Sequence, residues 1–242
     1  VFVPYKEVLQ IMENGLKVPE DVTLLWCDDN YGYMTRLKEK NATLRSGGAG
    51  VYYHLSYWGR PHDYLWLCTT QPGLIYSEMK QAYDNNARQE WIVNIHDPKP
   101  AAYDLELFMD MAWNINSVSP STINNHLGNW LIREFGESAG KKLLPVMQEY
   151  YRLCGIRRPE HMGWTQVELD KATHVRGLSW IKDTEFSNEF GGEMDRYLEH
   201  YAYIKKAVED IKQDISIEKR DAYFSHVEYQ VCAAADMATK ML

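Results

Sequence analysis

No apolar run in this sequence approaches the roughly 18 residues that mark a membrane-spanning helix, and no long basic run occurs either. Lys and Arg total 26 against 34 Asp and Glu, for a formal net charge of −8. The concentrated positive surface that phosphate backbones require is therefore missing, and neither nucleic acid nor a membrane is an expected partner. Cysteine is sparse: Cys27, Cys68, Cys154 and Cys232 stand far apart, with no C-x-x-C pair. With no H-x-H or H-x-x-E-H spacing either, no metal and no cofactor is expected. Phenylalanine is also scarce, 6 residues against 17 Tyr and 8 Trp. Those aromatics carry a polar handle on a flat apolar ring, which suits stacking on sugars as well as filling wet cores.

What is present begins with Val22-Thr23-Leu24-Leu25-Trp26-Cys27-Asp28-Asp29-Asn30-Tyr31. A continuous apolar run reads as a strand buried on both faces, and so as part of a parallel sheet. It ends in two carboxylates, an amide and a phenol, and chemistry in such folds sits at the carboxyl ends of strands. A helix is predicted before it, over Tyr5–Leu16, with Val8, Leu9, Ile11, Met12 and Leu16 on its apolar face. Further strands are predicted over Val51–Tyr57, Tyr64–Cys68 and Trp91–Ile95. Helices are predicted over Leu74–Ala87, opened by Pro72, and over Ala101–Trp113. Four strands with helices in several gaps are half of an eight-stranded barrel.

From Ser119 onward the pattern is all-helical. Helices are expected over Ser121–Phe135 and Ala139–Leu153, with Gly155, Pro159 and Gly163 breaking the chain. Phe186, Phe190, Met194, Tyr197, Tyr201, Ile204, Val208, Ile211 and Ile215 follow at spacings of four and three, the mark of a long helix with one apolar seam. Phe224, Val227, Val231, Ala234, Ala238 and Met241 continue it on a second helix, packed antiparallel after a turn near Ile215–Lys219. The expected fold is thus α/β plus all-α. Residues 1–118 form the second half of a (β/α)8-type barrel, with four parallel strands, and 119–242 a helical bundle. The chain opens at Val1 without a signal-peptide pattern and its last helix reaches Leu242 uncapped, so a longer parent chain is expected.

Three groups carry candidate chemistry. Asp28 and Asp29 could supply acid, base or anchor, or cap the loop as Asp and Asn side chains commonly do. Tyr52, His54 and Ser56 share one strand face and lead to Trp58 and Arg60, whose guanidinium pairs with a carboxylate. Asn94 precedes His96-Asp97-Pro98-Lys99-Pro100, whose amide, acid and lysine suit the hydroxyls and charge of an acidic sugar. The ordinary alternatives are a satisfied core histidine, an Arg60–Asp63 ion pair and a solvated lysine. Glu78 falls within a helix and is assigned to its surface.

Trp26-Cys27-Asp28-Asp29-Asn30-Tyr31-Gly32-Tyr33, the long motif from Gly47 through Tyr57 to Trp58-Gly59-Arg60-Pro61, and Trp91-Ile92-Val93-Asn94 resemble glycoside hydrolase family 115. The resemblance is continuous over about residues 20–114. It implies a xylan α-1,2-glucuronidase that removes glucuronic acid or its 4-O-methyl ether from glucuronoxylan with inversion. Asp28 and Asp29 would then be catalytic candidates, and Asn30, Tyr31, His54, Trp58, Arg60, Asn94, Asp97 and Lys99 substrate-binding. Arg60 and Lys99 would face the uronate. A polymeric substrate further implies a secreted or periplasmic protein. Two other readings stand beside it: a non-catalytic carbohydrate-binding or assembly module, with a homodimer through the helical region, and a metal-assisted hydrolase using Asp28, Asp29 and His54.

Overall fold

The computed structural model describes residues 1–38, 45–59, 62–162, 188–189 and 191–242. Arg60, Pro61, Gly163, Phe186 and Phe190 lie outside the described residues. Three strands, β1 (Leu24–Cys27), β2 (Ala49–His54) and β3 (Ala87–Asn94), form a parallel sheet in the order β1-β2-β3. Helix α1 (Glu7–Glu13) precedes the sheet, α2 (Pro72–Asp84) joins β2 to β3, and α3 (Ala102–Trp113) follows β3. Pro72 sits in the first turn of α2, where its missing N–H is not needed. Trp26, Val51 and Tyr53 from the sheet pack on Ile75 and Met79 of α2 and on Leu107 and Phe108 of α3. All four residues of β1 are buried, as the continuous apolar run predicts.

Helix α1 is shorter than its periodicity suggests and buries no residue. Asn14 caps it and Gly15, at φ 105°, turns the chain away, leaving Val8, Ile11 and Leu16 exposed. Ahead of it, Phe2 adds one parallel bridge beside Leu24 at the open edge of β1.

The expected strand over Tyr64–Cys68 is not one. Tyr64 makes a single antiparallel bridge to Tyr57, and the next residues take their partners from the helices instead. The Leu67 N–H donates to Glu160 Oε1 at 3.1 Å, and the Cys68 N–H to Gln230 Oε1 at 2.8 Å. Tyr150 donates its hydroxyl to the Cys68 carbonyl at 3.1 Å. Buried backbone groups must be paired, and here side chains do what a ladder would otherwise do. An apolar run of this length carries no mark of which solution is used.

The helical part comprises α4 (Ile123–Phe135), α5 (Glu137–Ile156), α6 (Glu193–Ile211), α7 (Arg220–Tyr223) and α8 (Tyr229–Met241). Gly155, expected as a breaker, instead lies inside the last turn of α5, packed close against the Gln71 side chain. The seam of α6 is as predicted from Tyr197 to Ile211, with Tyr197, Tyr201, Ile204, Val208 and Ile211 buried. It runs antiparallel to α8, since Lys212 pairs with Glu228 while Lys205 pairs with Asp236. One seam position is corrected. Between α7 and α8 lies a π-helical turn, Phe224–Glu228, which takes an extra residue per turn. Tyr223 is thereby buried, donating to the Val208 carbonyl at 2.7 Å, and Phe224 is 54% exposed.

Gln230 holds the irregular Cys68 segment from the helical side. Gln230→Ala strands the buried Cys68 N–H and costs about 1–3 kcal/mol, read as a lowered denaturation midpoint with an unchanged fold. A midpoint equal to wild type would show that Gln230 carries no such role.

Candidate active site

The carboxyl ends of the three strands converge on a cavity of about 560 Å3. Cys27 closes it from β1, Tyr52 and His54 from β2, and Asn94 from β3. Ser56, Tyr57, Trp58 and His96 come from the following loops, and Tyr5 and Lys6 from the segment before α1. The Tyr52, His54 and Ser56 face predicted from sequence therefore does border one space. No carboxylate lines it among the described residues.

Asp28 lies beneath this wall, 4% exposed, and is held from four directions. Its Oδ2 accepts the N–H groups of Asn30 at 3.1 Å and Gly32 at 3.0 Å. Its Oδ1 accepts the His54 N–H at 3.1 Å and stands 2.6 Å from His54 Nδ1. The loop can wrap the carboxylate because Asn30 (φ 68°) and Gly32 (φ 97°) both take left-handed backbone, which Asn tolerates and Gly favours. A carboxylate on Nδ1 fixes the imidazole tautomer and leaves Nε2 as the nitrogen available for other contacts. Burial and the Asp28 charge push the Cys27 thiol up to about 12, so it is a poor nucleophile.

Asp29 turns the other way and is exposed; its Oδ1 accepts the Tyr31 and Tyr33 N–H groups at 2.9 and 3.1 Å, the loop-capping geometry expected of Asx residues. Asn30 sits behind Tyr5, whose hydroxyl donates to Asn30 Oδ1 at 2.7 Å. Tyr31 reaches instead into a second cluster, its hydroxyl 3.0 Å from His62 Nδ1. Trp58, 80% exposed, stands at the cavity rim. Asp97 and Lys99 border a different hollow, with the Lys99 N–H donating to Asp97 Oδ1 at 3.2 Å. Glu78, assigned to the helix surface, is half-buried and its Oε2 accepts the Met34 N–H at 2.7 Å, tying the site loop to α2.

Among the cavity residues that sequence reasoning missed are Tyr5 and Lys6. The Lys6 ammonium stands 5.1 Å from the Tyr5 ring centre and 5.7 Å from that of Tyr57, and its positive φ of 51° breaks any helical reading at that point. Nothing local in the sequence marks them, because they meet the strand ends through tertiary contacts with Asn30, His54 and Tyr57. Burial and the neighbouring Tyr57 raise the Tyr5 phenol.

The helices brace the loop from behind. Arg158 stacks 4.1 Å over the Tyr64 ring and donates to Thr69 and Thr70 hydroxyls at 3.1 Å and to the Tyr31 carbonyl at 3.4 Å. Burial pushes the Glu160 carboxyl up to about 7, and burial does the same for Asp104, whose partners are Cys68 and Tyr151. Burial, with Arg158 and His62 nearby, holds His161 down to about 3.

A parallel α/β sheet with an aromatic-lined cavity at its strand ends places the site where ligands bind in this class of fold. The description "Glycosyl hydrolase family 115" matches residues 1–161. A solved structure presented as a novel family GH115 4-O-methyl-α-glucuronidase with specificity for decorated arabinogalactans is 49% identical, with a TM-score of 0.87 over 99% of this chain. No curated protein matches. The chain belongs to glycoside hydrolase family 115. It spans 31% of that neighbour's length.

Two outcomes follow from these contacts. Asp28→Asn turns an amide N–H₂ toward existing donors and destabilises by at least about 2 kcal/mol, whereas Asp29→Asn keeps its acceptor oxygen and stays within about 0.5 kcal/mol. Equal losses in chemical denaturation would contradict that asymmetry. The raised Glu160 and Asp104 carboxyls bind protons in the folded state up to about pH 7, while the unfolded chain releases them near its ordinary carboxylate range. Their contribution is full below that range and lost as pH rises through about 7; His161 works oppositely, losing stability as pH falls from about 6.5 to about 3. Glu160→Gln therefore gains on wild type in melting temperature between pH 5 and pH 8. A difference independent of pH would refute the buried proton.

Proposed function

We propose that this chain forms part of the active site of an α-glucuronidase that removes glucuronic acid, or its 4-O-methyl ether, from a plant polysaccharide. The observation that carries the reading is the cavity at the strand ends, walled by His54 on its Asp28 anchor and crossed by the Lys6 cation. In this reading the three strands are an arc of a (β/α)8 barrel. Lys6 draws in the uronate carboxylate, and Arg60 is the second cation that the sequence motif offers. His54 and Asn94 bind sugar hydroxyls, and Tyr52 and Trp58 pack on the ring. Asp28 is a positioning residue: it fixes the imidazole and the Asn30–Gly32 turn.

Inverting hydrolysis needs a carboxylic acid to protonate the departing glycosidic oxygen and a carboxylate to take a proton from water. Water then attacks the anomeric carbon from the opposite face, the two carboxyls standing roughly 6.5–9.5 Å apart. No carboxylate lines the cavity among the described residues, so in this reading at least one member of that pair lies outside them. This suits a chain that spans 31% of its structural neighbour. The polymer acted on is α-1,2-decorated glucuronoxylan in the reading from sequence motifs. A second polymer, decorated arabinogalactan, is favoured by what the 49%-identical neighbour acts on.

Proton NMR of the full-length enzyme with glucuronoxylan oligosaccharides and, separately, decorated arabinogalactan decides both points. Fresh β-anomer of the uronic acid from one of them is the expected result. No release from either by folded enzyme would overturn the reading and favour a binding module.

A further inference from the structure

A second hollow of about 350 Å3 lies where the loop after β3 meets the π-helical turn. Trp66, Phe224 and Tyr229 give it aromatic walls, and His96, Asp97 and Lys99 supply polar atoms. His96 borders both this hollow and the cavity at the strand ends, so the two are adjacent. The His96 N–H donates to Ser56 Oγ at 2.6 Å, which fixes that shared partition.

The π turn is what builds the aromatic wall. Phe224 occupies a position that the four-and-three spacing assigns to the bundle seam, yet the turn buries Tyr223 there and leaves Phe224 exposed on the hollow. The Tyr229 N–H donates to the Phe224 carbonyl five residues back, which brings the two rings side by side, their centres 6.0 Å apart and their planes tilted by 45°. Such turns are rare in helices and recur at functional sites.

We infer that this hollow is a subsite for a neutral pyranose of the glycan that carries the uronosyl group, a reading that rests on the function proposed above. Aromatic faces with an amphipathic rim suit a sugar ring, which presents C–H groups on its faces and hydroxyls at its edge. The rim carries one carboxylate and one ammonium, Asp97 and Lys99, and so selects no net charge, in contrast to the Lys6 side of the first cavity. Adjacency at His96 lets consecutive sugars of one chain occupy both. Specificity for the polysaccharide backbone then resides in the helical part of the protein.

The test uses neutral ligands and no turnover. Binding of β-1,4-xylotriose and of β-1,3-galactotriose to this chain is followed by titration calorimetry and by saturation-transfer NMR. One of the two binds wild type, weakens at least fivefold in Phe224→Ala, and recovers in Phe224→Trp. Because Phe224 is exposed, the alanine variant keeps the wild-type melting temperature. If neither trisaccharide binds wild type, or Phe224→Ala binds as well as wild type, the inference fails. Reduced self-association of Phe224→Ala by light scattering without sugar binding also overturns it and assigns the hollow to a second copy of the chain. Retained trisaccharide binding by an enzyme that releases no uronic acid would sink the glucuronidase reading alone.

Discussion

The Asp28 carboxylate is the point on which the rest of the site depends. It is buried at the end of β1 and gathers donors from three places: the Asn30–Gly32 turn, the β2 backbone at His54, and the His54 ring. In low-dielectric surroundings an acceptor with all its donors in place is rigid, and one that loses a donor is expensive. Strand end, turn and imidazole therefore have one geometry between them. The parallel register brings Cys27 beside Tyr52 and His54 beside Asn94, so the three strand ends reach the same level.

That level is held from below by the helical region. Tyr64–Cys68 is the hinge piece: its backbone is satisfied by Glu160, Gln230 and Tyr150, residues far away in sequence. Arg158 continues the link to Thr69, Thr70 and the Tyr31 carbonyl, and so from the bundle to the site loop. Glu160 and Asp104 illustrate the cost of such wiring. Each is an acid placed where burial favours its neutral form, and each is kept by specific donors. The helices thus take part in shaping the site rather than standing apart from it.

The charge distribution around the two hollows has a simple physical logic. Lys6 stands against aromatic rings at the strand-end cavity. The neighbouring hollow carries both signs on its rim and is walled mainly by rings. Charge selection and face stacking are separated into adjoining spaces, with His96 between them.

The sequence by itself determined the strong periodic elements: the buried run of β1, β2 with Tyr52 and His54 at its end, α2 opened by Pro72, α3, and the seam from Tyr197 to Ile211. In each, every local preference points the same way, so context had nothing to overturn. Its motifs also sufficed for the family. Tertiary structure decided the remainder. It denied Tyr64–Cys68 a ladder, because side chains from distant helices reached those amides first. It exchanged Phe224 for Tyr223, because a π turn adds a residue that no heptad count foresees. It brought Tyr5 and Lys6 to the strand ends and put Asp97 and Lys99 in the adjoining hollow. Which side chains share a cavity depends on how loops cross in space, and neither composition nor spacing encodes that.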